Sequence, residues 1–324
     1  MKSTHVWKHD LLPVLPGRLS GILRALDEEL CVRLEEIRIR VNQPLCIGTG
    51  GANHFLNAAG RICAYRDAYR VSQAEAKELL LRLSQSSIYA YEEELRRGYI
   101  TIKGGYRVGI AGKAVLQGGA VRLVHPCTSF NIRISREVIG AADKVMPYIL
   151  EDGYPLHTLI VSPPQAGKTT LLRDIARQLS EGAGSFGCLK VVVIDERSEI
   201  AGCHNGVPQN RIGYMSDVLD GCPKAEGMMM ALRGLSPQVI ITDEIGREED
   251  IDAIMEALHG GVCVIASVHA REYEELKSRP IMNRMLKNRV FERYILLSAR
   301  DGAGTLESVA DKDFHMLHKT KETG

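Results

Sequence analysis

The sequence predicts an α/β fold in which a C-terminal domain with a mostly parallel sheet follows a smaller α+β domain. From residue 156 onward, apolar strand-like runs alternate with helix-like segments, which indicates βαβ units. Before that point, short alternating runs are separated by glycine pairs, which is typical of an antiparallel meander. The length of 324 residues is enough for two domains. We place the boundary between residues 150 and 151.

Composition narrows the class of protein. Hydrophobic residues make up 45% and charged residues 25%, as in ordinary globular proteins with a sizeable core. Lys+Arg 41 against Asp+Glu 40 leaves a net charge of +1, so no overall basic excess points to nucleic acid. The eight cysteines form no C-x-x-C pair, which argues against zinc and favours a reducing cytoplasm. We expect neither a signal peptide nor a membrane-spanning segment, because no apolar run reaches about 18 residues.

The N-terminal half is predicted to begin with a short helical lead-in over residues 1–30 and to continue with strands, a capped helix and a polar helix through residues 89–96. Alternation over residues 35–41 predicts a half-buried strand, and residues 45–47 follow as a second one. Ser72 and Glu75 have the spacing of a capping box that opens a helix. Four further strands are predicted at residues 98–102, 106–110, 120–124 and 130–134, followed by a helix from about 137 to 149.

Two G-x-x-G strings, at residues 48–51 and 109–112, leave an alternative open. KH domains clamp RNA with such a string. Hairpin glycines are far commoner, so we interpret both strings as parts of hairpins and expect no nucleic-acid partner.

The segment 162–169, Ser-Pro-Pro-Gln-Ala-Gly-Lys-Thr, lies between a predicted strand and a predicted helix. It matches the phosphate-binding pattern G-x-x-x-x-G-K-[ST], except that Ser162 replaces the first glycine. In this motif, backbone N–H groups and the helix dipole bind phosphate, the lysine reaches the β/γ oxygens and the hydroxyl meets Mg²⁺. We therefore predict ATP and Mg²⁺ as ligands, Lys168 as a catalytic residue and Thr169 as a metal ligand. The residues predicted to bind the nucleotide are Ser162, Pro163, Pro164, Gln165, Ala166, Gly167, Lys168, Thr169 and Thr170.

Paired carboxylates follow two apolar strands. Residues 239–242 run into Asp243-Glu244, and residues 191–194 run into Asp195-Glu196. Ligands bind at the carboxyl ends of strands in open α/β sheets. We predict that Asp243 holds Mg²⁺ through its water shell, and that Glu244 or Glu196 positions the attacking water.

A third strand, predicted at 262–266, leads into Ser267-Val268-His269. A lone histidine is more commonly structural. Its place after a buried strand nevertheless predicts that His269 senses the γ-phosphate, so we include it among the catalytic residues.

The order of these motifs resembles that of the type II/IV secretion ATPases, in which Walker A, Asp box, Walker B and His box follow one another. Here the order is the phosphate loop, Asp195-Glu196-x-x-Glu199, residues 243–247 and residues 267–270. Within that superfamily the chain resembles the stage III AA sporulation family over roughly residues 30 to 300. The strings that carry this resemblance are residues 99–102 with Gly104-Gly105, 131–134, 217–220, 222–228 and 236–240.

The resemblance implies a RecA-like P-loop NTPase domain at residues 151–324 and an assembly and nucleotide-closing domain at residues 1–150. It implies a cytoplasmic ATPase, peripheral to a membrane complex on the mother-cell side of the forespore membrane. Such an ATPase would energise assembly of, or transport through, a channel between mother cell and forespore. Its implied partners are further copies of itself, as a homo-hexamer, and membrane-embedded sporulation channel proteins. An N-domain arginine would reach the phosphates; Arg107, Arg133 and Arg136 are the candidates, and we assign Arg133.

Two departures from the family pattern bear on this interpretation. Ser162 replaces the loop glycine, and Val262 stands where the His box would open with its first histidine. Two alternatives therefore remain: a nucleic-acid translocase on the same RecA-like core, and a scaffold that hydrolyses nucleotide weakly or not at all and whose Ser162 loop binds it weakly or not at all. Salt-sensitive DNA or RNA binding would indicate the first, and an absence of ATP affinity would favour the second.

Overall fold

The computed structural model describes residues 6–85, 91–134, 137–182 and 187–320. The chain divides into two compact units, residues 1–136 and residues 137–324. This division comes earlier than the predicted boundary at 150–151. The reason is packing, because Val145, Met146 and Ile149 are buried in a core cluster of the second unit.

The first unit is an α+β module around one antiparallel sheet with strand order β4-β3-β2-β1-β7-β6-β5. Its helices are α1 (Val6–Leu11), α2 (Gly17–Arg24), α3 (Glu28–Arg33), α4 (Gln73–Leu83) and α5 (Glu92–Arg97). Its strands are β1 (Leu34–Arg40), β2 (Cys46–Thr49), β3 (Ala52–Leu56), β4 (Ile62–Cys63), β5 (Tyr99–Ile102), β6 (Tyr106–Gln117) and β7 (Ala120–Arg133). A single apolar cluster, which includes Leu19, Ile37 and Phe130, forms its core.

The capping box of α4 is confirmed. The Glu75 N–H donates to the Ser72 hydroxyl at 3.2 Å, and the Ser72 N–H donates to Glu75 Oε2 at 2.8 Å. Both interactions satisfy backbone donors that the first helical turn cannot pair internally.

The meander contains three strands where the sequence predicts four. The pattern places residues 120–124 and 130–134 in separate strands, yet β7 runs without a break from Ala120 to Arg133. Bulges in the β6–β7 pairing absorb the irregular apolar pattern that suggests a turn. The G-x-x-G string at 48–51 closes the β2–β3 hairpin. The string at 109–112 instead lies inside β6, where a Cβ on Gly112 would collide with the carbonyl oxygen of Pro126.

The second unit is an α/β layer structure with sheet order β12-β11-β13-β14-β10-β15-β16-β17. Its strands are β8 (Leu150–Glu151), β9 (Tyr154–Pro155), β10 (Thr158–Ser162), β11 (Val191–Asp195), β12 (Ser216–Asp220), β13 (Val239–Thr242), β14 (Cys263–His269), β15 (Arg293–Ser298), β16 (Thr305–Asp311) and β17 (Met316–Lys319). Its helices are α6 (Met146–Ile149), α7 (Lys168–Glu181), α8 (Lys224–Gly234), α9 (Glu248–His259), α10 (Tyr273–Ser278) and α11 (Pro280–Lys287). Strands β10 to β15 pair in parallel, and β16 and β17 extend the sheet antiparallel.

The structure departs from the sequence-based expectations at three places in this unit. The helix expected over residues 137–149 shrinks to the single turn α6. The segment 150–155, for which the sequence predicts no strand, forms the β8–β9 hairpin. The end of the chain, where the sequence shows no clear signal, supplies β17.

The central strands are buried on both faces, which explains their continuous apolar runs. One core cluster contains Met228, Ile254 and Phe291, and another contains Leu172 and Ile175. Together with the antiparallel first unit, this sheet confirms the predicted fold class. None of the described helices combines the length and hydrophobicity that crossing a membrane requires.

The strand registers bring the predicted motifs to one edge of the sheet. Thr242 on β13 pairs with Ile194 on β11 and with Ala266 on β14, while Ser162 on β10 pairs with His269. The segments that follow these residues therefore leave the sheet side by side, at the edge where open α/β sheets bind ligands.

Candidate nucleotide-binding site

The phosphate loop joins β10 to α7 as the motif predicts. Ser162 ends the strand fully buried, and its hydroxyl donates to the Pro163 carbonyl at 3.2 Å. Gln165 (φ +62°) and Gly167 (φ +84°) turn the chain through left-handed conformations, and Lys168 is the first residue of α7. The loop thus delivers the open N–H groups of the first helical turn to the sheet edge, an arrangement suited to an anion.

Gly167 is also required for packing. A Cβ on it would lie 2.8 Å from the backbone nitrogen of Gly304, whose N–H donates to the Ala166 carbonyl at 2.9 Å. The connection between β15 and β16 therefore packs against the phosphate loop and is hydrogen-bonded to it. A cavity of about 180 Å³ opens beside this contact, lined by Val138, Ala141, Lys144, Val145, Gly167, Thr170, Leu171, Leu297, Ala303, Gly304 and Leu306.

Three predicted site residues meet at the start of α7. Lys168 Nζ donates to Glu244 Oε1 at 2.8 Å and lies 2.9 Å from His269 Nε2, which is 2.8 Å from the same Glu244 oxygen. We call this group the Lys168 triangle. It joins the phosphate loop to the ends of two other strands.

Glu244 is held under strain. Its φ of +38° is unusual for a residue with a side chain, and its N–H donates to the Ser267 hydroxyl at 3.0 Å. Its second carboxylate oxygen accepts from Arg197 Nη1 at 2.9 Å. Burial alone would raise the pKa of Glu244, but its bond with Lys168 and the nearby Arg197 outweigh burial and hold the pKa below its ordinary value. Backbone strain of this kind concentrates at functional sites.

Asp243 suits a hydrated Mg²⁺ ion. Its side chain is 1% exposed, and Oδ1 has no hydrogen-bond partner. Burial raises the pKa of Asp243 to about 6, against the opposing effect of Lys224. A buried carboxylate oxygen without a donor calls for a ligand, and Mg²⁺ retains waters that would satisfy it. Thr169 lies half-buried in the first turn of α7 and offers the predicted hydroxyl.

No cluster of three or more His, Cys, Asp or Glu side chains that could hold a metal occurs among the described residues. The donor set therefore fits an ion shared between protein and nucleotide phosphates. It does not suggest an all-protein metal cage.

The two residues of the Asp195-Glu196 pair face different partners. Asp195 is fully buried and accepts three backbone N–H groups, from Glu199, Ile200 and Ala201, at 2.8 to 3.0 Å. It therefore shapes the turn after β11. Glu196 forms an ion pair with Lys224, which also lies 3.9 Å from Asp243 Oδ1.

Two basic residues of this site were missed by sequence reasoning. Arg197 directly follows the Asp-Glu pair, and Lys224 is the first residue of α8. A cation at a helix N-terminus opposes the helix dipole unless anions neutralise it, which was an available signal for Lys224. For Arg197 the spacing of residues offered no such signal.

The predicted arginines of the first unit have diverse settings. Arg133 ends β7 and is exposed. Arg107 lies over the Tyr99 ring, 3.8 Å from its centroid. Arg136 falls outside the described residues. The assignment of an arginine to the phosphates stays a prediction.

Comparison with known proteins places the chain in a sporulation context. The model of the family described as "Sporulation stage III, protein AA" matches residues 7–317. The Stage III sporulation protein AA of Bacillus subtilis (strain 168) is 44% identical over 312 residues, which is 96% of this chain and 98% of that protein.

Comparison with solved structures concerns the fold. The chain superimposes on the ATPase DotB of Legionella pneumophila with a TM-score of 0.56 and 19% identity, over 87% of this chain and 76% of that one. It superimposes on the pilus retraction motor PilT with a TM-score of 0.54 and 16% identity, over 91% and 78% of the two chains. The chain therefore shares its fold with these two proteins.

Proposed function

Because the chain belongs to the sporulation stage III protein AA family, we propose that it is a Mg²⁺-dependent ATPase of the secretion-ATPase type. The observation that carries the proposal is the Lys168 triangle, where a phosphate-loop lysine meets Glu244 and His269 at the carboxyl edge of a parallel sheet.

The reaction is in-line attack of water on the γ-phosphate: the water oxygen bonds to the γ-phosphorus, the bond from that phosphorus to the β–γ bridging oxygen breaks, and ADP, inorganic phosphate and the proton of the water are released. Lys168 stabilises charge on the transferred phosphoryl group, and Glu244 positions the water, with Glu196 as the second candidate for that task. Mg²⁺, when bound, would supply further charge neutralisation, and Asp243 and Thr169 are the residues that would hold it. His269 senses the γ-phosphate.

Nucleotide binding rearranges the triangle. Lys168 forms an ion pair with Glu244. A triphosphate would lie on the open N–H groups at the start of α7. It carries more negative charge than one carboxylate, so it competes with Glu244 for the ammonium group of Lys168. Glu244 is then released from Lys168 and free to bind water. We place the nucleobase in the cavity beside Thr170, whose lining is mostly apolar.

The wider role follows from the family. We infer that hydrolysis energises assembly of, or transport through, a membrane channel complex between mother cell and forespore. The protein acts there as a cytoplasmic homo-hexamer, peripheral to membrane-embedded channel proteins. The first unit closes on the nucleotide, with Arg133 as the assigned phosphate contact.

The test is turnover of Lys168→Ala and Glu244→Gln, compared with the exposed controls Lys312→Ala and Glu272→Gln. Lys168→Ala removes the main cation at the phosphates and should lower both nucleotide affinity and kcat. Glu244→Gln keeps the shape of the side chain but not its charge, and we expect kcat to fall about 10²-fold or more with nucleotide still bound. Wild-type rates in both site variants would contradict the site assignment. A wild-type protein that shows no affinity for ATP in the presence of Mg²⁺ would favour the scaffold alternative.

A further inference from the structure

Lys224 is a buried lysine that joins the ends of two strands. It opens α8, and its side chain is 8% exposed. Its ammonium forms an ion pair with Glu196, just beyond β11, and lies 3.9 Å from Asp243 Oδ1, just beyond β13. Both carboxylates belong to the proposed ATPase site, whereas the proposed function gives Lys224 no role.

The surroundings explain why a cation is needed there. Asp195, Glu199 and Glu244 all place negative charge around Asp243, and Lys224 is the principal group opposing them. Glu196 is only partly buried, with 27% of its side chain exposed. Without its partner, this carboxylate would be repelled by the neighbouring acids and could turn toward water.

The two contacts of Lys224 differ in a way that matters for function. The ammonium binds Glu196 directly through Oε2. It stays beyond hydrogen-bond distance of Asp243 Oδ1, which keeps no partner of its own. Lys224 therefore fixes the orientation of one carboxylate while leaving an oxygen of the other available.

We propose that Lys224 is a positioning residue of the ATPase site, which holds Glu196 in the orientation that catalysis requires. The inference rests on the proposed function and deepens it. It makes Glu196, and not Glu244 alone, part of the machinery that orients water. It also ties the start of α8 to the same machinery.

The experiment is a double-mutant cycle of Lys224→Met and Glu196→Gln, with Lys224→Arg as the conservative variant and the exposed Lys190→Met as the matched control. For each protein we would measure kcat and KM for ATP with Mg²⁺, the equilibrium affinity for a fluorescent ATP analogue, and thermal melting. The affinity and melting readouts do not depend on turnover.

If Lys224 acts through Glu196, Lys224→Met should lower kcat about tenfold to 100-fold. Nucleotide affinity should stay within about threefold, because Lys168 and the loop are intact. Once Glu196 is already Gln, adding Lys224→Met should change kcat by less than about twofold. Lys224→Arg should recover much of the rate, and Lys190→Met should match the wild type.

The inference is overturned by additive losses of kcat in the cycle, by wild-type kcat for Glu196→Gln, or by a loss of nucleotide affinity in Lys224→Met as large as its loss of kcat. Breaking a buried ion pair can also unfold a protein. Lys224→Met leaves two carboxylates, Glu196 and Asp243, without their cation. If this variant melts below the assay temperature, the decisive comparison is Glu196→Gln with the double variant, in which the charge of Glu196 is removed. A lower kcat in the double variant overturns the inference.

Failure of the proposed function has a different signature. It would appear as absence of hydrolysis in the wild type, or as turnover that Lys168→Ala leaves unchanged. If the wild type hydrolyses ATP in a way that depends on Lys168, and Lys224→Met has a normal kcat, the inference is refuted while the proposed function stands.

Discussion

At the scale of single residues, the site is a set of charges that neutralise one another while buried. Lys168 is 8% exposed, and it is stabilised there because Glu244 and His269 lie within 2.9 Å. Burying an ammonium group is costly unless it is paired. The pairing therefore offsets the cost of burying Lys168 and defines the bonds that a bound nucleotide would exchange.

The glycine of the phosphate loop offers a test at this scale. Gly167→Ala forces a side chain into left-handed backbone and against Gly304. Gly206→Ala is a matched control, because Gly206 has φ +74° and a Cβ added there would meet no atom within 4 Å. It therefore shares the backbone strain without the contact. We expect the control to lose about 1 kcal/mol of unfolding free energy and Gly167→Ala to lose clearly more.

Urea unfolding of the two glycine variants measures the difference, and nucleotide affinity should fall only in Gly167→Ala. Equal losses of stability would mean that the contact with Gly304 is unimportant.

At the scale of elements, sequence reasoning located the central strands of the second unit, which are buried on both faces, and the alternating strands β1 and β5 of the first unit. Residues 191–194 and 239–242 were found because an uninterrupted apolar run between turn signals has few other interpretations. The half-exposed β12 is not predicted, and the long β7 is predicted as two strands. The burial of both depends on partners distant in the chain.

The same reasoning explains which site residues were found. Lys168 belongs to the phosphate-loop motif, and Asp243 and Glu244 form a carboxylate pair directly after an apolar strand. Both patterns are local in the sequence and indicate nucleotide chemistry by their spacing. Lys224 and Arg197 acquire their partners only when β11, β13 and α8 come together. A single sequence does not record that juxtaposition.

One hydrogen bond between two segments of the sheet should make the stability of the fold depend on pH. His157, the residue before β10, accepts the Val264 N–H of β14 through Nδ1 at 3.1 Å. Burial lowers the pKa of His157 below its usual 6.5, despite the nearby Glu292 carboxylate. The unfolded chain therefore takes up this proton at a higher pH than the folded chain does. Stability from this group is complete above about pH 6.5 and falls as the pH drops below that value.

His157→Gln should reduce that fall, because glutamine retains an acceptor for Val264 and cannot take up the proton. Melting temperatures from pH 8 to pH 5.5 would show it, with His259→Gln as the control at an exposed histidine. An acid-induced loss of stability as steep in His157→Gln as in the wild type would contradict the prediction.

At the scale of the whole molecule, each unit has an apolar interior made of its own residues. The core of the first unit draws on residues before 135, and the clusters around the parallel sheet draw on residues after 137. The groups of the Lys168 triangle and the Lys224 pair all lie in the second unit. Because the proposed arginine contact comes from the first unit, binding of ATP and its full rate of hydrolysis are separable in principle: the second unit alone contains the proposed binding groups.

We expect residues 137–324, produced alone, to melt cooperatively and to bind ATP with Mg²⁺, because the sheet, both of its core layers and the phosphate loop are complete in that fragment. Turnover should be reduced at least about tenfold relative to the full chain, since the proposed Arg133 contact and the closing unit are missing. Lys168→Ala within the fragment is the control for binding at the loop, and Arg133→Ala in the full chain tests the arginine separately. A fragment that binds ATP and turns over at the full-chain rate would show that the first unit contributes nothing to chemistry. Its role would then be limited to assembly.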